Sequence, residues 1–206
     1  MSLDHLISVS NKDAELIREK DTFKEEYLRV KNLNKEKLEK LLTRLELKFD
    51  EDLNQVFKDK EFVTTRKTDK GLFIKLGEGD VSIEIVKNNT AIQPFEVKRQ
   101  INFKRSQKTD FANIVLSPVF EMGKTYLKDI SDLTSTIDNI DSMDVHALAD
   151  VKNIISQHKK NIELLDDEYE FKYFIHKPEK LTGKINQDLD LSKIIDRVII
   201  LSNIFA

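Results

Sequence analysis

The sequence predicts an α+β protein that is mainly helical, with a four-stranded antiparallel β-meander between an N-terminal long helix and a C-terminal helical hairpin. Three observations predict it. The first glycine is Gly71 and the first proline Pro94, so seventy residues run without a helix breaker. Gly71, Gly77 and Gly79 then cluster in alternating, β-branched sequence. After residue 109 the apolar residues return to helical spacing. This organisation divides the chain into a helical arm (1–60), a β-meander (61–108) and a helical region (109–206), packed as one domain or as a domain plus an arm.

In the arm, Ser10 and Asp13 resemble a capping box that opens the first helix. Leu16, Phe23, Tyr27 and Val30 form a thin apolar stripe, and Asn32 and Asn34 are candidate kink positions. A stronger stripe follows at Leu38, Leu42, Leu45, Phe49, Leu53 and Val56, spaced 4, 3, 4, 4 and 3. The segment Asn11–Lys60 carries thirteen basic and thirteen acidic residues, the mixed surface of an exposed helix.

From Glu61 the period is two. Phe62–Lys67 and Leu72–Leu76 read as strands around Thr68-Asp69-Lys70-Gly71, and Gly77–Asp80 reads as a turn. Val81, Ile83 and Ile85 alternate with Ser82 and Glu84. A last strand runs from Phe95 to Arg105, with Phe95, Val97, Ile101 and Phe103 on one side. Beyond it, Thr109 or Asp110 caps a helical stretch, and Ser117-Pro118 places proline at a first helical position. Tyr126, Ile130, Leu133, Ile137 and Ile140 repeat at 4, 3, 4, 3. Leu148, Val151, Ile155, His158, Ile162, Leu165 and Tyr169 repeat at 3, 4, 3, 4, 3, 4. Two heptad-like stripes about a polar turn predict an antiparallel hairpin with coiled-coil-like packing. Glu168–Ile175 fits either a fifth strand or an extension of that helix, and Asp190–Phe205 reads as a closing helix.

Composition narrows the function. There is no Cys, which excludes disulfides, thiolate metal sites and cysteine nucleophiles. A net charge of −3 names no partner. The first ten residues lack a signal-peptide pattern, and the longest strongly apolar run, Val198–Leu201, is too short to span a bilayer, so the expectation is a cytoplasmic protein with no membrane partner. Lys-, Ile- and Asn-rich usage points to an AT-rich genome, of phage or mobile-element kind.

One pattern carries chemistry. Asp80 opens one strand, and the next contains Glu96-Val97-Lys98. Matching the apolar faces pairs Val81 with Val97 and Ile83 with Phe95, leaves Asn88-Asn89-Thr90 as a loop and places Asp80 opposite Lys98, beside Glu96. A two-residue Asn88-Asn89 turn would instead put Asp80 and Glu96 on opposite faces. Over residues 78–100 this resembles the PD-(D/E)xK nuclease superfamily, with Gly79 where the family has proline. The resemblance implies a Mg-dependent endonuclease in which Asp80 and Glu96 hold the metal and Lys98 stands near the attacking water, with Glu46 or Glu51 as a further acid. The alternative for Asp80 and Lys98 is a solvated cross-strand ion pair, worth only about 0.2–1 kcal/mol. Acid-x-Lys also occurs at Glu46, Asp150 and Glu170, as a chain this charged produces by chance.

Two non-catalytic readings stand beside it. Arg99, Lys104, Arg105 and Lys108 form a basic strip that would hold phosphates in a nucleic-acid-binding regulator. The favoured expectation is a non-catalytic, oligomeric binding or assembly protein without a cofactor, meeting a protein partner or itself through Leu38, Leu42, Leu45, Phe49 and Leu53.

Overall fold

The computed structural model describes residues 3–58, 60–88, 93–143, 145–177 and 190–201. Helix α1 (Leu3–Phe57) is continuous. It starts before Ser10 and passes through Asn32 and Asn34 unbroken, because no residue before Gly71 forces it to stop and long charged side chains sustain it. Pairs such as Lys48–Asp52, at 2.9 Å, reinforce it one turn apart.

Among the described residues six strands follow rather than four: β1 (Val63–Thr68), β2 (Gly71–Leu76), β3 (Val81–Asn88), β4 (Val97–Arg105), β5 (Lys108–Val119) and β6 (Glu170–Lys177). They form one antiparallel sheet in chain order. The helical hairpin expected after residue 109 is absent. Lys108–Val119 is a strand, residues 120–133 are neither helix nor strand, and Thr134–Ile137 (α2) is a single helical turn. Only the second arm of the hairpin exists, as α3 (Val145–Asp166); α4 (Leu191–Leu201) closes the described chain.

The reason for the difference is local. Thr109, Phe111, Ile114, Val115 and Val119 favour strand, and residues 112–118 are buried on both faces of the sheet. Pro118 lies beyond the last β4 partner, Leu116↔Val97, where a missing N–H is tolerated. Glu168–Ile175, open in sequence, lies mostly in strand β6.

The chain divides into two compact units. Unit 1 combines Met1–Glu39 with Met122–Asp167. Its core is Tyr27 and Val30 of α1 with Ile137, Ile140, Met143, Leu148, Val151, Ile154 and Ile155; Leu16, Phe23, Ile130 and Leu133 pack at the margin. The stripes at Leu16–Val30 and Tyr126–Ile140 are therefore core, although the second is not helical throughout. A polar seam crosses the core. The Asn34 amide nitrogen lies 3.3 Å from Nδ1 of buried His158 and 3.4 Å from the Tyr126 hydroxyl. The Tyr27 hydroxyl donates to Asp132 at 3.0 Å, and Lys31 reaches the same carboxylate at 2.8 Å.

Unit 2 combines Lys40–Glu121 with Glu168–Ala206. One face of its sheet is apolar: Leu72 and Ile74 on β2, Ile83 and Ile85 on β3, Val97, Ile101 and Phe103 on β4, Ile114 and Leu116 on β5, Tyr173 and Ile175 on β6. The C-terminal part of α1 covers this face with Leu41, Leu45, Phe49, Leu53 and Val56. The Phe49 and Tyr173 rings meet edge to face at 5.2 Å, and the Tyr173 hydroxyl donates to Asp52 at 2.7 Å. In the same unit, α4 turns Leu191, Ile194, Ile195 and Val198 inward and is capped by Asp190, which accepts from the Lys193 N–H.

Candidate functional site

The β3–β4 register decides the fate of the expected acidic pair. Val81 stands opposite Arg105, Ile83 opposite Phe103 and Asn88 opposite Lys98. The expected partners, Val81 with Val97 and Ile83 with Phe95, are therefore displaced by eight residues on β4. Residues 89 and 90 of the expected loop lie outside the described residues. The sequence favoured the shorter connection because apolar alternation fits either register equally well, and alternation alone does not set loop length.

As a result Asp80 sits beyond the start of β3, where its carbonyl accepts from the Ser106 N–H at 3.3 Å. Lys98 lies at the other end of the β3–β4 ladder, eight residues along, or about 27 Å at ~3.4 Å per residue. Glu96 precedes β4 and is tied into a turn, accepting from the Gln93 N–H at 3.2 Å; partial burial raises its carboxyl pKa. The structure does not bring Asp80, Glu96 and Lys98 together. Among the described residues, no group of three or more His, Cys, Asp or Glu side chains is placed to hold a metal ion.

The basic strip is also divided. Strand alternation sends Arg99 to the α1-covered face and Lys104 to the opposite one, while Arg105 and Lys108 pair at the β4–β5 turn. The predicted interaction stripe is mostly internal. Leu45, Phe49 and Leu53 lie in the core of unit 2, and Leu38 and Leu42 are half-buried.

What the structure does assemble is a cleft of about 270 Å³ in unit 2, between α1 and the β1–β3 end of the sheet. Leu72 and Ile85 line it, with Leu53 and Asn54 from α1. Gly71 forms part of its wall and cannot be larger: its φ is +153°, and a Cβ there would lie 1.9 Å from the Ile85 carbonyl oxygen. Three cations face the cleft. Arg99 and Lys87 are cross-strand partners and so project to the same side, and Lys67 shares that side through Leu72 and Ile85.

Arg99 is only 4% exposed. Its guanidinium stacks over the Phe49 ring at 5.4 Å, and Nη1 donates to the Lys98 carbonyl at 3.2 Å. Among the described residues, buried Nη2 has no hydrogen-bond acceptor; Asp50 approaches it only to 3.6 Å. The sequence marked Arg99 as basic but not as buried, and it gave no reason to join it to Lys67 and Lys87. That grouping depends on the long β3–β4 connection.

A second feature lies in unit 1. Residues 3–15 of α1 are exposed throughout, among them Leu3, Leu6, Ile7 and Val9, and Ile17 beyond them is exposed too. Leu3, Ile7, Ser10, Ala14 and Ile17 follow one another at 4, 3, 4, 3. The sequence carries that spacing, but the capping pattern at Ser10 predicts a later helix start than the one observed. Comparison with family models, curated proteins and solved structures finds no match for this chain.

Proposed function

We propose that this is a non-catalytic assembly protein that pairs with a second copy of itself through the N-terminal part of α1. One observation carries the reading: a helical segment with Leu3 72%, Ile7 51% and Ile17 58% exposed, an apolar stripe that the described residues leave open. A short helix without packing is marginal in water, so such a face gains by meeting a partner. Its 4, 3, 4, 3 spacing suits a two-stranded coiled coil.

The segment is complementary to its own reverse. In an antiparallel pair centred on Ser10, Leu3 of one copy is level with Ile17 of the other, and Ile7 falls within one residue of Ala14, a large residue beside a small one. Asp4 then lies near Arg18. The separation of Asp80, Glu96 and Lys98 leaves the catalytic alternative with less support than this surface. The cytoplasmic setting favoured by the sequence is kept as part of the proposal; among the described residues no helix is long and apolar enough to cross a membrane.

Sedimentation of the full chain tests the proposal. The expected result is a dimer that the pair Leu3→Glu and Ile7→Glu converts to monomer with helix content retained. Because the chain has no Cys, Ser10→Cys should yield a covalent dimer under mild oxidation. A wild-type chain that stays monomeric at every soluble concentration sinks the reading.

A further inference from the structure

The cleft around Arg99 is chemically incomplete, and what it lacks is negative charge with acceptor oxygens. A guanidinium held almost out of solvent normally has every N–H directed at an oxygen. Among the described residues Nη2 has none, and Asp50 Oδ1 stops at 3.6 Å. Asp50 is half-exposed and can leave this position for solvent. Lys87 lies opposite Arg99 across the strand pair, its only ion pair among the described residues being a 3.9 Å approach to Glu46 with both side chains half-exposed. Lys67 has no ion pair among the described residues.

We propose that this cleft binds a small phosphate-type oxyanion, free or as the terminal group of a compact metabolite. Arg99 is the buried anchor, Lys87 and Lys67 are the rim cations, and Asp50 is the carboxylate that the ligand displaces. A tetrahedral oxyanion supplies several acceptors at once, which suits one planar donor and two mobile ammonium groups better than a single carboxylate does. The cleft exceeds one phosphate in volume, so space remains for an ester substituent against Leu72 and Ile85. A nucleic-acid backbone carries the same group but needs a continuous run of cations. Here Asp50 and Asp69 share the lining, and the other basic residues of β4 lie at the far turn or on the other face.

The test is titration calorimetry on the full chain at fixed ionic strength. The probes are inorganic phosphate, glycerol phosphate and a short single-stranded oligonucleotide. Saturable one-to-one binding of phosphate or its ester is expected. Lys87→Ala should weaken it about tenfold, the scale of one charge-assisted hydrogen bond. Asp50→Asn should tighten it several-fold, because the competing carboxylate is gone. Both substitutions are at half-exposed positions, so folding is not at issue as it would be for Arg99→Met. The proposal is overturned if neither small probe saturates, if only the oligonucleotide binds, or if binding ignores both substitutions.

Discussion

Two side chains show how burial sets chemistry here. Arg99 is basic in sequence and buried in position; the strand alternation that buries it also removes it from any surface strip. His158 sits in the core of unit 1, where desolvation and, next, the charge of Lys31 lower its pKa, while Asp132 opposes them weakly. Folding therefore excludes the proton. Above about pH 6.5 the imidazole is neutral in both states and contributes nothing to pH dependence. As pH falls below that value the unfolded chain takes up the proton and the folded one does not, so stability declines. Urea unfolding of unit 1 followed from pH 7 to pH 5 should show this decline, and His158→Gln should flatten it. An unchanged slope in the variant would assign the acid sensitivity elsewhere.

At the scale of elements, the β3–β4 register is the most consequential fact. It places Ser82 opposite Lys104, with Asp80 far from Lys98. A chain without cysteine allows a clean check. The pair Ser82→Cys and Lys104→Cys should oxidise to an intramolecular disulfide, since facing strand residues have Cα atoms within reach of one. The pair Asp80→Cys and Lys98→Cys should not. Strands β2 to β4, the long helix and α3 are legible from their apolar period, whereas β1, Val-Thr-Thr-Arg-Lys-Thr and largely exposed, is legible from its β-branched residues and the turn that follows. The sequence misleads at β5 because Ser117-Pro118 imitates a helix start, and because a strand buried on both faces has no alternation to reveal it. The cleft was illegible for a different reason: Lys67, Lys87 and Arg99 are brought together by pairings that no local pattern encodes.

On the scale of the molecule, neither unit is a continuous stretch of chain. Unit 1 needs the first part of α1, and its hydrophobic core draws on that helix from Leu16 onward, residues 3–15 being exposed throughout. Removing residues 3–15 should leave the unfolding free energy of the dilute monomer unchanged within about 0.5 kcal/mol, while abolishing self-association. Tyr27→Ala, which removes a fully buried ring and its hydrogen bonds, should cost about 3–5 kcal/mol. Denaturant titrations of the two variants decide this; a large loss on removing the exposed turns would mean that they support the fold rather than extend from it. The two-part organisation was not visible in sequence, where domains are read as consecutive blocks.

β5 and β6 are neighbours in the sheet, yet fifty residues separate the end of one from the start of the other. A ribosome therefore releases Ile114, Val115 and Leu116 long before the strand that shields their outer edge exists. Through that interval the nascent sheet ends in a bare, greasy margin able to recruit any extended peptide nearby. Only the late arrival of β6 closes that margin.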